Sequence, residues 1–166
     1  MSEQEQIIKI IETFFEIGKS KKLEILKDIQ IDDSSFSSFS DVPPYDLKDF
    51  STTVALEELR FISISDYDYV INNVKVSIFG DTSVVALELI QKGMLVDNKS
   101  FTGECITIPG RATFVLIKKP TWKIVVEIWP YELVVARVRT TRNDSFISGT
   151  EFNIELKLDE NGNCVI

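Results

Sequence analysis

The sequence predicts an α+β protein whose helices come first and pack on one face of a curved antiparallel sheet. Helical periodicity is confined to roughly the first sixty residues, and from residue 67 onward the apolar positions alternate with period two between hairpin signals. The length, 166 residues, is enough for one domain with a substantial core.

Ile7, Ile10, Ile11, Phe14 and Ile17 recur at helical spacing within residues 3–18, with Glu5, Lys9, Glu12 and Glu16 largely on the opposite side. Gly18 reads as the stop of this helix. A short second helix, about residues 20–28, turns Leu23, Leu26 and Ile29 inward. Residues 31–50 read as a polar loop with embedded aromatics, where Pro43-Pro44 forbids regular structure and the aromatics imply that the loop covers something. A third helix is expected at about 53–60. The strands follow at 67–79, 84–91, 104–108, 111–119 and 122–129, with Gly80-Asp81 and Pro120-Thr121 as turns and a looser connection over 92–104. In the tail, 131–166, Phe152, Ile154, Leu156 and Leu158 alternate with Glu151, Asn153, Glu155 and Lys157. Residues 159–163 form a turn that returns Cys164-Val165-Ile166 alongside that strand. The expected organisation is a main domain over 1–130 and a C-terminal β extension of the same domain over 131–166.

Composition excludes several function classes. The net charge is −8, from 18 basic and 26 acidic residues, so neither nucleic acid nor an anionic membrane surface is an expected partner. Histidine is absent, which removes the commonest nitrogen ligand and the usual proton shuttle. Cys105 and Cys164 stand in no ligand-like spacing and read as reduced, partly buried thiols. No metal and no cofactor is expected. The acidic start and the interrupting charges match neither a signal peptide nor a membrane span, so the expected location is cytoplasmic.

Strict alternation divides the last two strands of the main domain into faces. Arg111, Thr113, Val115 and Ile117 share one face of the first, and Ala112, Phe114 and Leu116 the other. In the second, Trp122, Ile124, Val126 and Ile128 fall together, opposite Lys123, Val125, Glu127 and Trp129. Apolar residues on both faces imply that both are covered, one by the helices and the other by a second copy of the chain or by the C-terminal tail, with the dimer as the favoured reading. By this parity Glu127 belongs to the outer face, as a surface or interface charge.

The spacing Gly110-Arg111-x-Thr113-x-Val115-x-x-Lys118 followed by Trp122-Lys123-Ile124-Val125 resembles the final hairpin of the SnoaL-like branch of the nuclear transport factor 2-like superfamily. Phe79-Gly80-Asp81-Thr82 resembles that family's turn between middle strands, and Phe36-Ser37-Ser38-Phe39 its loop before the third helix. The resemblance covers about residues 5–130. It implies a cystatin-like cone, a curved sheet wrapped around helices with a pocket at the open end, in a family of cyclases, isomerases, dehydratases and non-catalytic association domains. Many SnoaL-like members continue Trp-Lys-Ile-Val with His-x-His, where this chain has Val126 and Ile128 around Glu127. Aliphatic side chains transfer no proton and bind no metal.

The expected pocket lining is Trp122, Ile124, Val126, Ile128, Arg111, Thr113, Phe36 and Phe39. The expected function is binding of a small apolar ligand without histidine-based catalysis, by a homodimer joined through the outer sheet face. The alternatives are an isomerase, cyclase or dehydratase using a pocket carboxylate and a tyrosine, or a non-enzymatic association module. For the enzyme, Glu88, Asp68 and Tyr67 are the leading candidates, with Tyr69, Tyr45, Asp66 and Glu104 behind them. In the tail, Arg137 and Arg139 share a strand face and are expected to pair with acidic neighbours.

Overall fold

The structure is a computed structural model that describes residues 1–40, 46–97 and 102–129 and, beyond them, 137–141, 144–148, 157–158 and 164–165. The chain divides into two compact units, Met1–Glu132 and Leu133–Ile166.

In the first unit, α1 spans Glu3–Ser20. It opens on a capping box: the Ser2 hydroxyl accepts from the Glu5 N–H at 3.2 Å, and the Ser2 N–H donates to the Glu5 carboxylate at 2.6 Å. Its buried face is Ile7, Ile11, Phe14, Phe15, Ile17 and Gly18. The helix does not stop at Gly18. That glycine is turned inward, where an added Cβ would overlap the rings of Phe61 and Tyr67, so its role is close packing. The left-handed cap is Lys21, at φ 61°. A 3-10 turn, Leu23–Ile25, leads into the short α2, Leu26–Ile29. The next helix, α3, spans Phe50–Ser63 and is capped by Asp49, which accepts from the Thr52 N–H at 2.8 Å. At its far end the Lys21 ammonium donates to the carbonyls of Phe61 and Ile64, which helix geometry leaves without partners.

Five strands form one sheet in the order β1-β5-β4-β3-β2: β1 Ser37–Ser40, β2 Ile64–Phe79, β3 Thr82–Asp97, β4 Thr102–Lys118 and β5 Trp122–Trp129. The loop expected over 31–50 therefore contains a strand, β1, which runs parallel to β5. The central strands are 16 and 17 residues long, because the expected break at 92–104 is a continued ladder, Gly93↔Ile106 and Val96↔Gly103. Two register shifts bend β2, and the residues at them, Asp66 and Asn73, both sit at φ 50°.

One face of the sheet packs on the helices. Phe14 and Phe15 meet Phe114 edge to face at 5.6 and 6.1 Å, and Val85, Leu89, Leu116 and Ile124 complete this core with at most 1% exposure. Each such side chain contributes about 1.5–3 kcal/mol by leaving water.

The second unit pairs β6, Arg137–Thr141, with β7, Asp144–Ser148, and β8, Lys157–Leu158, with β9, Cys164–Val165. The expected return of Cys164 and Val165 alongside the strand ending at Leu158 is present, as Leu158↔Cys164 and Lys157↔Val165. The alternating residues 151–156 and the turn 159–163 lie outside the described residues.

Candidate functional site

A single extra residue in β5 decides what faces the helices. The β4–β5 ladder pairs Val115 with Val126 but Leu116 with Ile124, so Val125 is inserted as a bulge. Before it, Trp122 and Ile124 are buried on the inner face with Leu116. After it the parity reverses. Glu127, opposite Phe114, is turned inward and has no exposed surface. Val126 and Ile128 pair with Val115 and Thr113 on the half-buried outer face. The expectation that Trp122, Ile124, Val126 and Ile128 share a face, with Glu127 opposite, is therefore corrected.

The inner row continues sideways. Ser38 of β1 pairs with Glu127, and Lys48 bridges Ser38 through reciprocal backbone hydrogen bonds of 3.0 and 2.8 Å. Lys48 and Ser38 are both buried. Above this row lies α3, which presents an unusual stripe: its inward residues are Thr53, Glu57, Arg60 and Phe61, three of them polar. Leu59 and Ile62, which apolar periodicity would bury, are instead 44% and 70% exposed.

Gln30 closes the group. Its backbone is fixed at the end of α2 by a bond to the Leu26 carbonyl (2.9 Å) and by a bridge to Ile124. Its side-chain Nε2 donates to the Glu127 carboxylate at 2.6 Å and faces both Glu57 oxygens at 3.4 Å. Burial raises the proton affinity of Glu57 well above the ordinary carboxyl range. The neighbouring Glu127 charge and a hydrogen bond to Glu127 add to this, against the opposing effects of Arg60 and Gln30. The shift favours the protonated form of Glu57, which can donate to Glu127. The Arg60 charge also acts on Tyr67, whose hydroxyl burial pushes up to about 12. That hydroxyl donates to Gln91 Oε1 at 3.1 Å. The Gln30 Oε1 and Thr53 Oγ1 atoms are buried and meet no hydrogen-bond partner among the described residues.

The residues expected at the site are distributed over both faces. Trp122, Ile124 and Phe36 are buried, with Phe36 edge-on to Phe50 at 5.6 Å. Phe39, paired with Ile128, joins Val126, Thr113 and Arg111 on the outer face. Glu88 lies there too, exposed, opposite Arg111 and accepting from Asn73 Nδ2 at 2.7 Å. Asp68 forms an exposed ion pair with Lys19 at 3.0 Å. Tyr67 is buried with its hydroxyl bonded, while Tyr69 reaches the Glu12 carbonyl at 3.3 Å. Asp66 and Glu104 are exposed, and Tyr45 lies outside the described residues. Cys105 is a free thiol, exposed where partial burial is expected.

Gln30, Lys48, Glu57 and Arg60 are not found by the sequence reading. In α3 the apolar residues Val54, Leu56, Leu59, Phe61 and Ile62 define no single stripe, so the polar Thr53-Glu57-Arg60 spacing carries no advantage in the pattern. Among the described residues no cluster of acidic or cysteine side chains has metal-binding geometry, and no helix is long and apolar enough to cross a membrane.

No protein-family model matches the chain, and no curated protein does. Solved structures do match. A candidate dehydratase of the NTF2-like family from Streptomyces avermitilis is 18% identical, covers 76% of this chain and 94% of its own, and superposes with a TM-score of 0.65. An NTF2-like protein with a cystatin-like fold from Novosphingobium aromaticivorans is 14% identical over 76% and 80% of the two chains, with a TM-score of 0.58. The chain has the nuclear transport factor 2-like fold. The same fold includes the S. rosetta CaMKII hub, 17% identical over 75% of this chain and 93% of the hub, with a TM-score of 0.57. Within this fold the carboxyl pair lies between the inner face of the sheet and α3.

Proposed function

We propose that the inner face beneath α3 is an acid–base site for a small molecule, with Glu57 as the acid and Glu127 as the base. The supporting observation is the buried pair itself: two hydrogen-bonded carboxyl groups, the proton affinity of Glu57 raised by burial, with an amide and a guanidinium beside them. Removing a proton next to a carbonyl needs a carboxylate in a dry setting and a donor for the oxygen that gains charge. Glu127 takes the proton from carbon, and Glu57 gives its own proton to the departing hydroxyl (dehydration) or to the distal carbon (isomerisation). The proton gained by Glu127 then returns to Glu57 through their hydrogen bond, so the pair is restored. Gln30 Oε1 and Thr53 Oγ1 are buried acceptors for hydroxyl or N–H donors of the ligand. A site with these groups favours a polar ligand over the apolar one expected from the absence of histidine and the aliphatic residues Val126 and Ile128.

The test uses a panel of small hydroxy ketones and enones, first by thermal shift and then by NMR in D2O. The expected result is a stabilising compound that gains deuterium next to its carbonyl, with exchange at least 100-fold slower in Glu127→Gln and in Glu57→Gln. Equal exchange in both variants and the wild type would remove the assignment.

The chain also reads as a homodimer joined through the outer sheet face. Val84, Val115, Val126 and Ile128 form a half-buried aliphatic band there. The free Cys105 thiol fits a reducing, cytosolic setting.

A further inference from the structure

Within the carboxyl pair, the geometry points to Gln30 as the positioning residue that confines the shared proton to Glu57 and keeps Glu127 ionised. An ionised carboxylate only accepts hydrogen bonds, whereas a protonated one also donates. The Gln30 amide nitrogen can only donate, so it favours whichever carboxyl group is ionised. It lies 2.6 Å from Glu127 Oε1 but 3.4 Å from each Glu57 oxygen. The short bond is of charge-assisted length, and the two long ones are weak. The donor is therefore committed to Glu127, and the proton remains on the other partner.

The backbone of Gln30 is held on both sides. Its amide N–H is bonded to the Leu26 carbonyl, and the next residue, Ile31, donates to the Ile124 carbonyl at 2.9 Å. The Gln30 backbone is thus tied to the strand that carries Glu127, three residues beyond Ile124. Glu57 approaches from a different element, α3. The charged group beside Glu57, Arg60, lies one turn along the same helix, α3. Arg60 and the two long Gln30 contacts both oppose protonation of Glu57, so the bias toward Glu57 comes from the short Gln30 bond to Glu127. In a coupled pair the proton belongs to both groups unless something breaks their equivalence. Here the broken symmetry is the 0.8 Å difference in the distances from Gln30.

The catalytic meaning of this assignment rests on the acid–base reading above, since it decides which carboxyl group abstracts and which donates. The assignment itself is a property of the unliganded protein, so a failed ligand screen and a failed proton assignment are separate results. The experiment is carbon-detected NMR of the full chain labelled at the glutamate carboxyl carbon, at pH 7 without ligand. One signal should sit at the protonated position and vanish in Glu57→Gln, with the Glu127 signal at the ionised position. In Gln30→Met, with its fold confirmed by circular dichroism, the Glu57 signal should move toward the ionised position and the Glu127 signal toward the protonated one. A purely structural role for Gln30 would leave both signals in place, and that result overturns the proposal. If Gln30→Met does not fold, Gln30→Leu takes its place with the same two readings, and a wild-type proton assigned to Glu127, or to neither group, overturns the proposal.

Discussion

Glu57 couples the site to stability. Its proton affinity is raised in the folded chain, chiefly by burial, so the folded state binds more protons than the unfolded one above the unfolded carboxyl range. The contribution of this residue is therefore fully present below about pH 4.5 and is lost as pH rises through the raised folded value. Glu57→Gln keeps the shape and cannot ionise. The melting temperature of the variant minus that of the wild type should become more positive as pH rises from 4.5 toward 9, read by circular dichroism. A difference that stays flat over that range would mean that Glu57 is ionised in the folded chain. Gly18 gives a second test at this scale. Because a Cβ there meets the rings of Phe61 and Tyr67, Gly18→Ala should destabilise by about 1–3 kcal/mol in urea unfolding, despite alanine's better helix propensity.

The bulge at Val125 has consequences for the whole of β5. With strict alternation Ile124 and Val126 would be equivalent, and lysine at either would be equally damaging. With the bulge, Ile124 has no exposure and Val126 lies half-buried on the other face. Ile124→Lys should abolish cooperative unfolding, whereas Val126→Lys should cost about 1 kcal/mol or less in dilute protein, measured by denaturant titration. Equal damage from the two would restore the regular register. The same bulge explains what was legible in the sequence and what was not. The extent of β5, Trp122–Trp129, is read correctly from its composition and the turn before it, as is the hairpin at Gly80-Asp81. The faces are not, because an inserted valine in a run of valines leaves no trace in the pattern. Polar residues at 53, 57 and 60 were hidden differently: α3 buries its polar stripe and exposes Leu59 and Ile62, the reverse of what solvent alone would select.

For the whole molecule, order of elements is the legible property, since helices followed by antiparallel strands leave few topologies. The short β1 escaped because its four residues, Ser37–Ser40, are mostly serine and gain their structure only by pairing with β5. The outer face of the sheet was expected to be covered, and its side chains retain that character. The rows Ser77–Val84–Val115–Val126–Ser37 and Ala86–Thr113–Ile128–Phe39 cross four or five strands with almost no charge. The charged groups lie beyond them, at Lys75, Glu88, Arg111 and Lys92. An apolar centre with a charged margin is the pattern of a self-complementary contact. The wild type should sediment as a dimer at micromolar concentration, and Val126→Lys should sediment as a monomer while keeping the wild-type circular dichroism spectrum. Burying unpaired ammonium groups in an apolar contact would cost far more than the lost valine contacts. A wild type that sediments as a monomer would leave the outer face to some other partner, with the carboxyl pair on the inner face unaffected.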